Sequence, residues 1–228
     1  LNIAAGGLWS LRRIAALTSA LPHAVIGWPT APAFILPLAT MGVVWACLVK
    51  GRMRWLGAVA ASAILWWPHT PPSDIWIDPA GGNAAVRVGG EAFVLRPKVR
   101  QYGFVLWTQR YGLTASPDAR DGYYACKGYA CVPKAGAPFR VGFWFSNKPP
   151  KAAKFDELCS ASDLVVLRNP MADWPAACAG VNRISAGDFR RLGAMELTRQ
   201  TKGWAIRAAQ PLRGHRFWSV RSDADSDQ

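Results

Sequence analysis

The sequence predicts a mixed α/β (α+β) fold in which N-terminal membrane helices precede a small domain of short strands and helices. Two observations support this expectation. No Asp or Glu occurs before Asp74, and two long apolar runs lie within residues 31–67. From residue 70 onward, short runs typical of strands alternate with helical segments and glycine turns, a pattern that favours a mixed sheet with helices on its faces.

Residues 1–30 are expected to form an interfacial or membrane helix and a connector. Leu1–Leu21 is apolar on nearly every side, which is typical of a helix that is buried or lies against lipid. Arg12 and Arg13 could extend their charges to lipid headgroups while their stems stay in the apolar region. Pro22 ends the helix, because the residue before a proline resists the helical conformation.

Residues 31–69 are predicted to form a two-helix transmembrane hairpin, with helices at Ala31–Val49 and Trp55–Trp67. A membrane-spanning helix needs roughly 20 apolar residues. The first run nearly meets this length. The second is too short by itself and needs its flanking residues to reach the length of a membrane span. A buried helical hairpin in a soluble protein is the alternative, because short apolar runs are ambiguous.

The turn of this hairpin carries three cations, Lys50, Arg52 and Arg54. Short cytoplasmic loops hold the excess of Lys and Arg in membrane proteins, so the turn is expected inside the cell. Residues 70–228 would then lie on the other side of the membrane. The chain begins with Leu rather than Met, and we expect it to be part of a longer protein.

Residues 70–221 are predicted to form the outer domain, and residues 222–228 a disordered tail rich in Asp and Ser. Val86 and Phe93 lie in two strands around the two-residue turn Gly89–Gly90, a hairpin signal. The predicted strands are 74–78, 83–88, 91–96, 123–126, 129–133, 139–145, 164–168, 181–184, 194–199 and 204–208. Helices are expected at 102–111, at 154–161 and after Ser185, with 113–122 as a polar loop.

Four cysteines follow the hairpin, namely Cys126, Cys131, Cys159 and Cys178. Four cysteines allow three pairings, and disulfides persist in exported domains. We favour Cys126–Cys131, which would close a tight hairpin, and Cys159–Cys178, which would link a helix to a loop. A zinc site is the alternative, since Cys-x4-Cys is close to ligand spacing.

The chain is basic, with 27 Lys and Arg against 14 Asp and Glu and a net charge of +13. Such an excess favours contact with nucleic acid or anionic lipid. One set of cations has aromatic residues between its members and could follow a DNA backbone by charge and stacking: Arg96, Lys98, Arg100 and Arg110. We favour the alternative for this set, a solvated face whose aromatic rings belong to the core.

Several short sequence motifs, in the same order along the chain, resemble those at the C-terminal end of the ComEC-type competence proteins. These proteins internalise DNA in naturally transformable bacteria. Residues 20–24 (ALPHA) resemble the family's SLPGA connector, and residues 77–84 (IDPAGGNA) resemble its DVGQGDA strand and loop. Residues 126–132 resemble the CDxxGCV word of the alphaproteobacterial branch. Further matching words lie at 163–166, 178–179, 188–194 and 216–219.

The resemblance implies an inner-membrane, multi-pass channel segment for DNA uptake, with a degenerate metallo-β-lactamase-like domain at residues 70–221 in the periplasm. Implied partners are single-stranded or double-stranded DNA bound without sequence specificity, the membrane and other competence proteins; assembly with copies of itself is left open. The alternative function is a structural or assembly module of an envelope complex that does not contact DNA, with the aromatic strand Phe139–Phe145 as its surface.

Catalytic β-lactamase-like domains bind two metals through an HxHxDH cluster and further histidines. This chain has three histidines in all, His23, His69 and His215, and only His215 lies well inside the outer domain. One imidazole cannot build a dinuclear site. The motif's Gln and Asp are also replaced, by Ala80 or Gly81 and by Asn83. We therefore expect no catalytic residues, no metal, no cofactor and no enzymatic activity.

Overall fold

A computed structural model describes residues 2–19, 32, 34–67, 71–99, 101–170 and 174–213. The chain divides into two compact units. The first consists of residues 1–70 and 109–112, and the second of residues 71–108 and 113–228. The division falls within the proline-bearing stretch 68–72, where the sequence predicts the boundary between the hairpin and the outer domain.

The first unit is helical, with α1 at Asn2–Ser19, α2 at Ile35–Leu48 and α3 at Arg54–Trp66. The two helices of the hairpin are therefore present, and α2 is shorter than predicted at both ends. Their turn holds Lys50 and Arg52, while Arg54 opens α3. Among the described residues, no helix combines the length and the apolar character required for crossing a membrane.

Glycines bring the two helices of the hairpin into backbone contact. A Cβ added to Gly42 would lie 2.5 Å from the backbone nitrogen of Ala61, and one added to Gly57 would lie 2.6 Å from that of Ala46. Most of the large apolar side chains are exposed, although Ile35 is buried and the Trp45 ring lies against Gly57. The exposed ones are Leu36, Leu38, Met41, Val43, Val44, Trp45, Leu48, Trp55, Leu56, Val59 and Leu65. Small residues thus form the closest contact between the two helices, and most of the large apolar side chains are exposed.

The second unit contains two mixed sheets. The first sheet has the order β11-β10-β1-β2-β3-β4, antiparallel except for the parallel pair β3–β4. Its strands are β1 Ile75–Ile77, β2 Ala84–Val88, β3 Glu91–Val94, β4 Thr114–Ala115, β10 Met195–Gln200 and β11 Gly203–Ala208. Every strand except β4 was predicted from the alternation of apolar residues, although several ends differ by one or two residues.

The second sheet has the order β5-β6-β7-β8-β9. Strands β5 to β7 are antiparallel, whereas β7, β8 and β9 run parallel. The strands are β5 Tyr124–Lys127, β6 Ala130–Pro133, β7 Val141–Trp144, β8 Leu164–Leu167 and β9 Asn182–Ile184. The run of four buried residues in β8 reflects a strand covered on both faces.

The two sheets share one hydrophobic core. Buried residues from the first sheet, such as Ile75 and Phe93, belong to the same cluster as Phe143 and Val166 of the second sheet. Tyr124 is also buried in this cluster, and its hydroxyl donates to the carbonyl of Phe139 at 3.1 Å. Burial raises the pKa of the Tyr124 phenol. The mixed α/β class predicted from the sequence is therefore observed.

Helices pack on the sheets of this unit. In α4 (Tyr102–Tyr111), Gly103 lies against the Trp76 ring and the Trp107 indole donates to Ser73 Oγ at 2.8 Å. Helix α6 (Ala152–Ala161) places Phe155 and Cys159 in a second cluster with Val165 of β8. The remaining α-helices are α5 Arg120–Tyr123, α7 Ala186–Leu192 and α8 Ala209–Arg213.

Several predictions for this unit were wrong or fall outside the described residues. The loop predicted at 113–122 contains strand β4, a 3-10 turn and the start of α5. The strand within Phe139–Phe145 cannot serve as an assembly surface, because Val141, Phe143 and Phe145 are buried between β6 and β8. Helix α8 was not predicted, and the tail at 222–228 lies outside the described residues.

Candidate nucleic-acid interface

A pocket of about 320 Å³ lies in the second unit, where the loop after β1 meets the ends of the parallel strands. It is lined by Pro79, Ala80, Asn147, Arg168, Pro170, Ala186, Phe189 and Arg190. Two of these lining residues are cations and none is a carboxylate. Ligands of α/β folds bind in the crevice outside the carboxyl ends of parallel strands, which is where Asn147 and Arg168 are found.

The loop Asp78–Asn83 forms one wall of the pocket and is held by its own hydrogen bonds. The Asp78 carboxylate accepts the backbone N–H groups of Ala80 at 3.2 Å and Gly82 at 3.3 Å. Gly81 has φ +61°, and a Cβ there would lie 2.6 Å from the Phe189 ring. Glycine thus allows the loop to lie directly on α7.

Asn83 fixes the other end of this loop and is completely buried. Its side-chain oxygen accepts the backbone N–H of Arg96 at 3.0 Å, and its amide nitrogen donates to the carbonyls of Arg96 and Val99. The resemblance placed Asn83 where the related motif has Asp. Here its side chain satisfies buried backbone groups, which is a structural role.

Arg96 joins the loop to an aromatic group. Its Nη1 donates to the Gly82 carbonyl at 3.0 Å. The guanidinium carbon lies 5.7 Å from the ring centroid of Tyr129 and 5.5 Å from that of Phe145, within the range of a cation–π contact. Arg96 was one of the possible contacts to a DNA backbone. The structure places it beneath an exposed tyrosine instead of extending it freely into solvent.

The opposite wall is built from the segments that follow β7 and β8. The Arg168 N–H donates to the Trp144 carbonyl at 2.9 Å, which continues the strand ladder to the pocket edge. Asn169 is buried, and its amide donates to the Asn147 carbonyl at 2.6 Å. Trp144 Nε1 donates to the Lys148 carbonyl at 2.7 Å. These bonds hold Arg168 and Asn147 on a fixed frame.

Helix α7 supplies Ala186, Phe189 and Arg190, and it begins after Ser185, as predicted, with a capping box formed by Ser185 and Asp188. The Ser185 N–H donates to the Asp188 carboxylate at 2.9 Å, and Arg191 donates to it at 2.7 Å. Partial burial works against the charged form, but the bonds from Ser185 and Arg191 prevail and lower the pKa of Asp188. Arg190 is exposed at the pocket rim.

Both favoured cysteine pairings are present. Cys126 and Cys131 are opposite each other on β5 and β6, with Cα atoms 4.1 Å apart. Cys159 of α6 and Cys178 have Cα atoms 5.2 Å apart, and both are buried. Disulfides at these pairs leave no thiolate among the four for the zinc alternative, because zinc binds the deprotonated thiol.

The other cations named as possible DNA contacts do not form one described cluster. Lys98 is exposed two residues after Arg96, and Arg100 lies outside the described residues. Arg110 belongs to the first unit, where its guanidinium carbon lies 5.5 Å from the Tyr111 ring centroid. The three cations predicted to orient the hairpin, Lys50, Arg52 and Arg54, are exposed around its turn.

Within the described part of the chain, no three His, Cys, Asp or Glu side chains gather as a metal site. His23, His69 and His215 all lie outside that part. The absence of catalytic activity therefore stays a prediction. Sequence reasoning missed Arg168 and Arg190, although Arg168 directly follows a buried strand. Recognising β7, β8 and β9 as parallel would have pointed to this edge.

Comparisons with protein-family models, curated proteins and solved structures gave no match to this chain. The resemblance to the competence proteins therefore depends on the short sequence motifs alone. What it implies for fold family, location and partners is a proposal.

Proposed function

We propose that this chain is a segment of an inner-membrane channel for DNA uptake, and that its second unit binds DNA in the periplasm without hydrolysing it. The observation that carries the DNA part is the pocket with Arg168 and Arg190 among its lining residues and no carboxylate among them. Arginine pairs with phosphate through two parallel hydrogen bonds, so two arginines at one cavity suit a phosphodiester.

Backbone contacts of this kind carry no sequence information, because phosphates are the same at every step of a strand. They match a channel that must accept any DNA. The ComEC-like loop at Asp78–Asn83 forms part of the same pocket, so the segment with the most recognisable resemblance lies at the strongest candidate site. This coincidence supports the degenerate β-lactamase-like part of the proposal.

The arrangement of the hairpin supports the membrane part. In lipid, burying apolar surface between helices yields no hydrophobic free energy. Helices therefore associate through small residues that allow close approach of their backbones. Gly42 and Gly57 provide this contact, and most of the large apolar side chains are exposed. Thr40 and Ser62 donate their hydroxyls to carbonyls of their own helices, which removes the need for water.

DNA binding is tested with the full chain in detergent micelles by fluorescence anisotropy of a labelled oligonucleotide at several salt concentrations. The double variant Arg168→Gln/Arg190→Gln is expected to weaken binding at least tenfold. It should also flatten the dependence of log affinity on log salt by about 0.7 per lost phosphate contact on a single strand. The matched control, Lys151→Gln/Lys202→Gln, removes the same charge from exposed residues that do not line the pocket.

Equal losses in the two double variants would mean that only net charge matters and that the pocket has no role. An unmodified chain that binds no DNA at low salt would remove the DNA part altogether. The membrane part is tested separately with vesicles of anionic lipid. We expect the chain to remain with the vesicles after an alkaline wash, and its complete release would contradict membrane embedding.

A further inference from the structure

We infer that Tyr129 is a stacking platform for an unpaired base, so that the second unit prefers single-stranded over duplex nucleic acid. The inference rests on the proposed function and names the form of DNA that the same site takes. Tyr129 is 53% exposed, although four separate contacts hold it in place. A rigid aromatic ring that stays open to solvent is suited to stacking, because little side-chain freedom remains to be lost on binding.

The first two contacts hold the backbone of the turn. Tyr129 lies in the turn Lys127–Ala130 between β5 and β6, which the Cys126–Cys131 disulfide closes. Its carbonyl accepts the Phe145 N–H at 2.9 Å, so the turn is attached to the end of β7. Lys127 is exposed on the same turn and adds a charge that a phosphate could meet.

The other two contacts hold the ring. The Arg96 guanidinium carbon lies 5.7 Å from its centroid, and Arg96 is itself tied to the Gly82 carbonyl of the pocket loop. The Trp144 ring approaches it edge-on, with centroids 6.5 Å apart. Tyr129 is thus fixed from the side of the pocket, through the loop that contains Ala80 and Gly82.

The platform and the pocket are joined by a very short stretch of chain. Phe145, which contacts Arg96, lies two residues before Asn147 of the pocket lining. Two residues of extended chain span roughly 7 Å. A strand crossing this stretch could place a phosphate near Arg168 and Arg190 and a neighbouring part of the strand, with an unpaired base, on Tyr129. Paired bases in a duplex are already stacked and cannot turn outward without unpairing, so the platform favours single strands.

The test uses the full chain in detergent micelles with a labelled thymidine oligonucleotide of about 15 nucleotides and a duplex of the same length. Tyr129→Leu is expected to raise the Kd for the single strand about tenfold and to change the duplex Kd by less than about twofold. Tyr129→Phe keeps the ring and should retain single-strand binding, which separates stacking from misfolding. Tyr102→Leu removes a tyrosine of α4 that is even more exposed than Tyr129, and it serves as the control.

The inference is overturned if Tyr129→Leu changes neither Kd, if it weakens both equally, or if Tyr102→Leu has the same effect. Its failure is distinguishable from failure of the proposed function. If the Arg168/Arg190 variant loses binding and Tyr129→Leu does not, the pocket proposal stands and only the stacking role of Tyr129 is rejected. A chain that binds neither oligonucleotide before any substitution loses both.

Discussion

The helical hairpin and the second unit bury opposite kinds of residue. In the hairpin, Gly42 and Gly57 form the interface while leucines, valines and tryptophans face outward. In the second unit, Phe93, Phe143 and other large side chains fill the space between two sheets. In water, burying large apolar side chains is favourable through the hydrophobic effect. In lipid, the surroundings are as apolar as the protein interior, so there is no such driving force. The two units therefore differ in the size of the side chains that form their contacts.

The units also handle polar groups differently. The hydroxyls of Thr40 and Ser62 donate to carbonyls of their own helices. In the second unit, the buried carboxylate of Asp74 contacts the Arg87 guanidinium and accepts the Arg199 backbone N–H at 2.7 Å, linking three strands or strand ends. Buried charges remain stable only when they are paired and hydrogen-bonded in this way.

The largest expected effect comes from removing a ring from the core of the second unit. Phe143 is completely buried, so Phe143→Ala is expected to lower the free energy of unfolding of this unit by about 4 kcal/mol. Leu36→Ala in the hairpin removes an exposed side chain and should leave that value unchanged. Urea unfolding of the full chain in micelles, followed by near-ultraviolet circular dichroism, measures both. Similar losses would contradict the contrast between the units.

A smaller effect is expected from filling the contact between the helices of the hairpin. Gly42→Ala would place a methyl group 2.5 Å from the backbone of α3, and separating the helices should cost about 2 kcal/mol. Gly6→Ala in α1 meets open space and should stabilise its helix by up to about 1 kcal/mol. Hydrogen exchange of residues 35–48 in lipid vesicles measures the opening. Unchanged protection in Gly42→Ala would show that the close contact does not hold the hairpin.

The smallest effect concerns the response to acid. The lowered pKa of Asp188 means that its stabilisation is present above the unfolded pKa near 3.9 and is lost as the pH falls through the folded pKa. Asp188→Asn should therefore cost the second unit about 1 kcal/mol at neutral pH, and the difference should vanish in strong acid.

Thermal unfolding of the second unit between neutral pH and pH about 2 measures this difference. The hairpin sequence contains neither Asp nor Glu, so its protection from hydrogen exchange should not follow the same curve. A cost that persists unchanged in acid would show that Asp188 acts through its shape rather than its charge.

The sequence by itself determined the local features of both units. Periodicity and turn residues predicted the hairpin helices, most strands and α4, since these depend on residues close together in the chain. The capping box at Ser185 and Asp188 and the turn closed by Cys126 and Cys131 are local for the same reason. The absence of early carboxylates indicated that the first unit differs from the second.

Only the tertiary structure decided the composition of the candidate site. Ala80, Asn147, Arg168 and Arg190 come from four separate segments, which meet because β7, β8 and β9 run parallel and Gly81 lets its loop lie on Phe189. Burial likewise turned the aromatic strand around Phe143 from a predicted surface into core. Sequence spacing describes neighbours along one element, and it does not specify which distant elements will share a pocket.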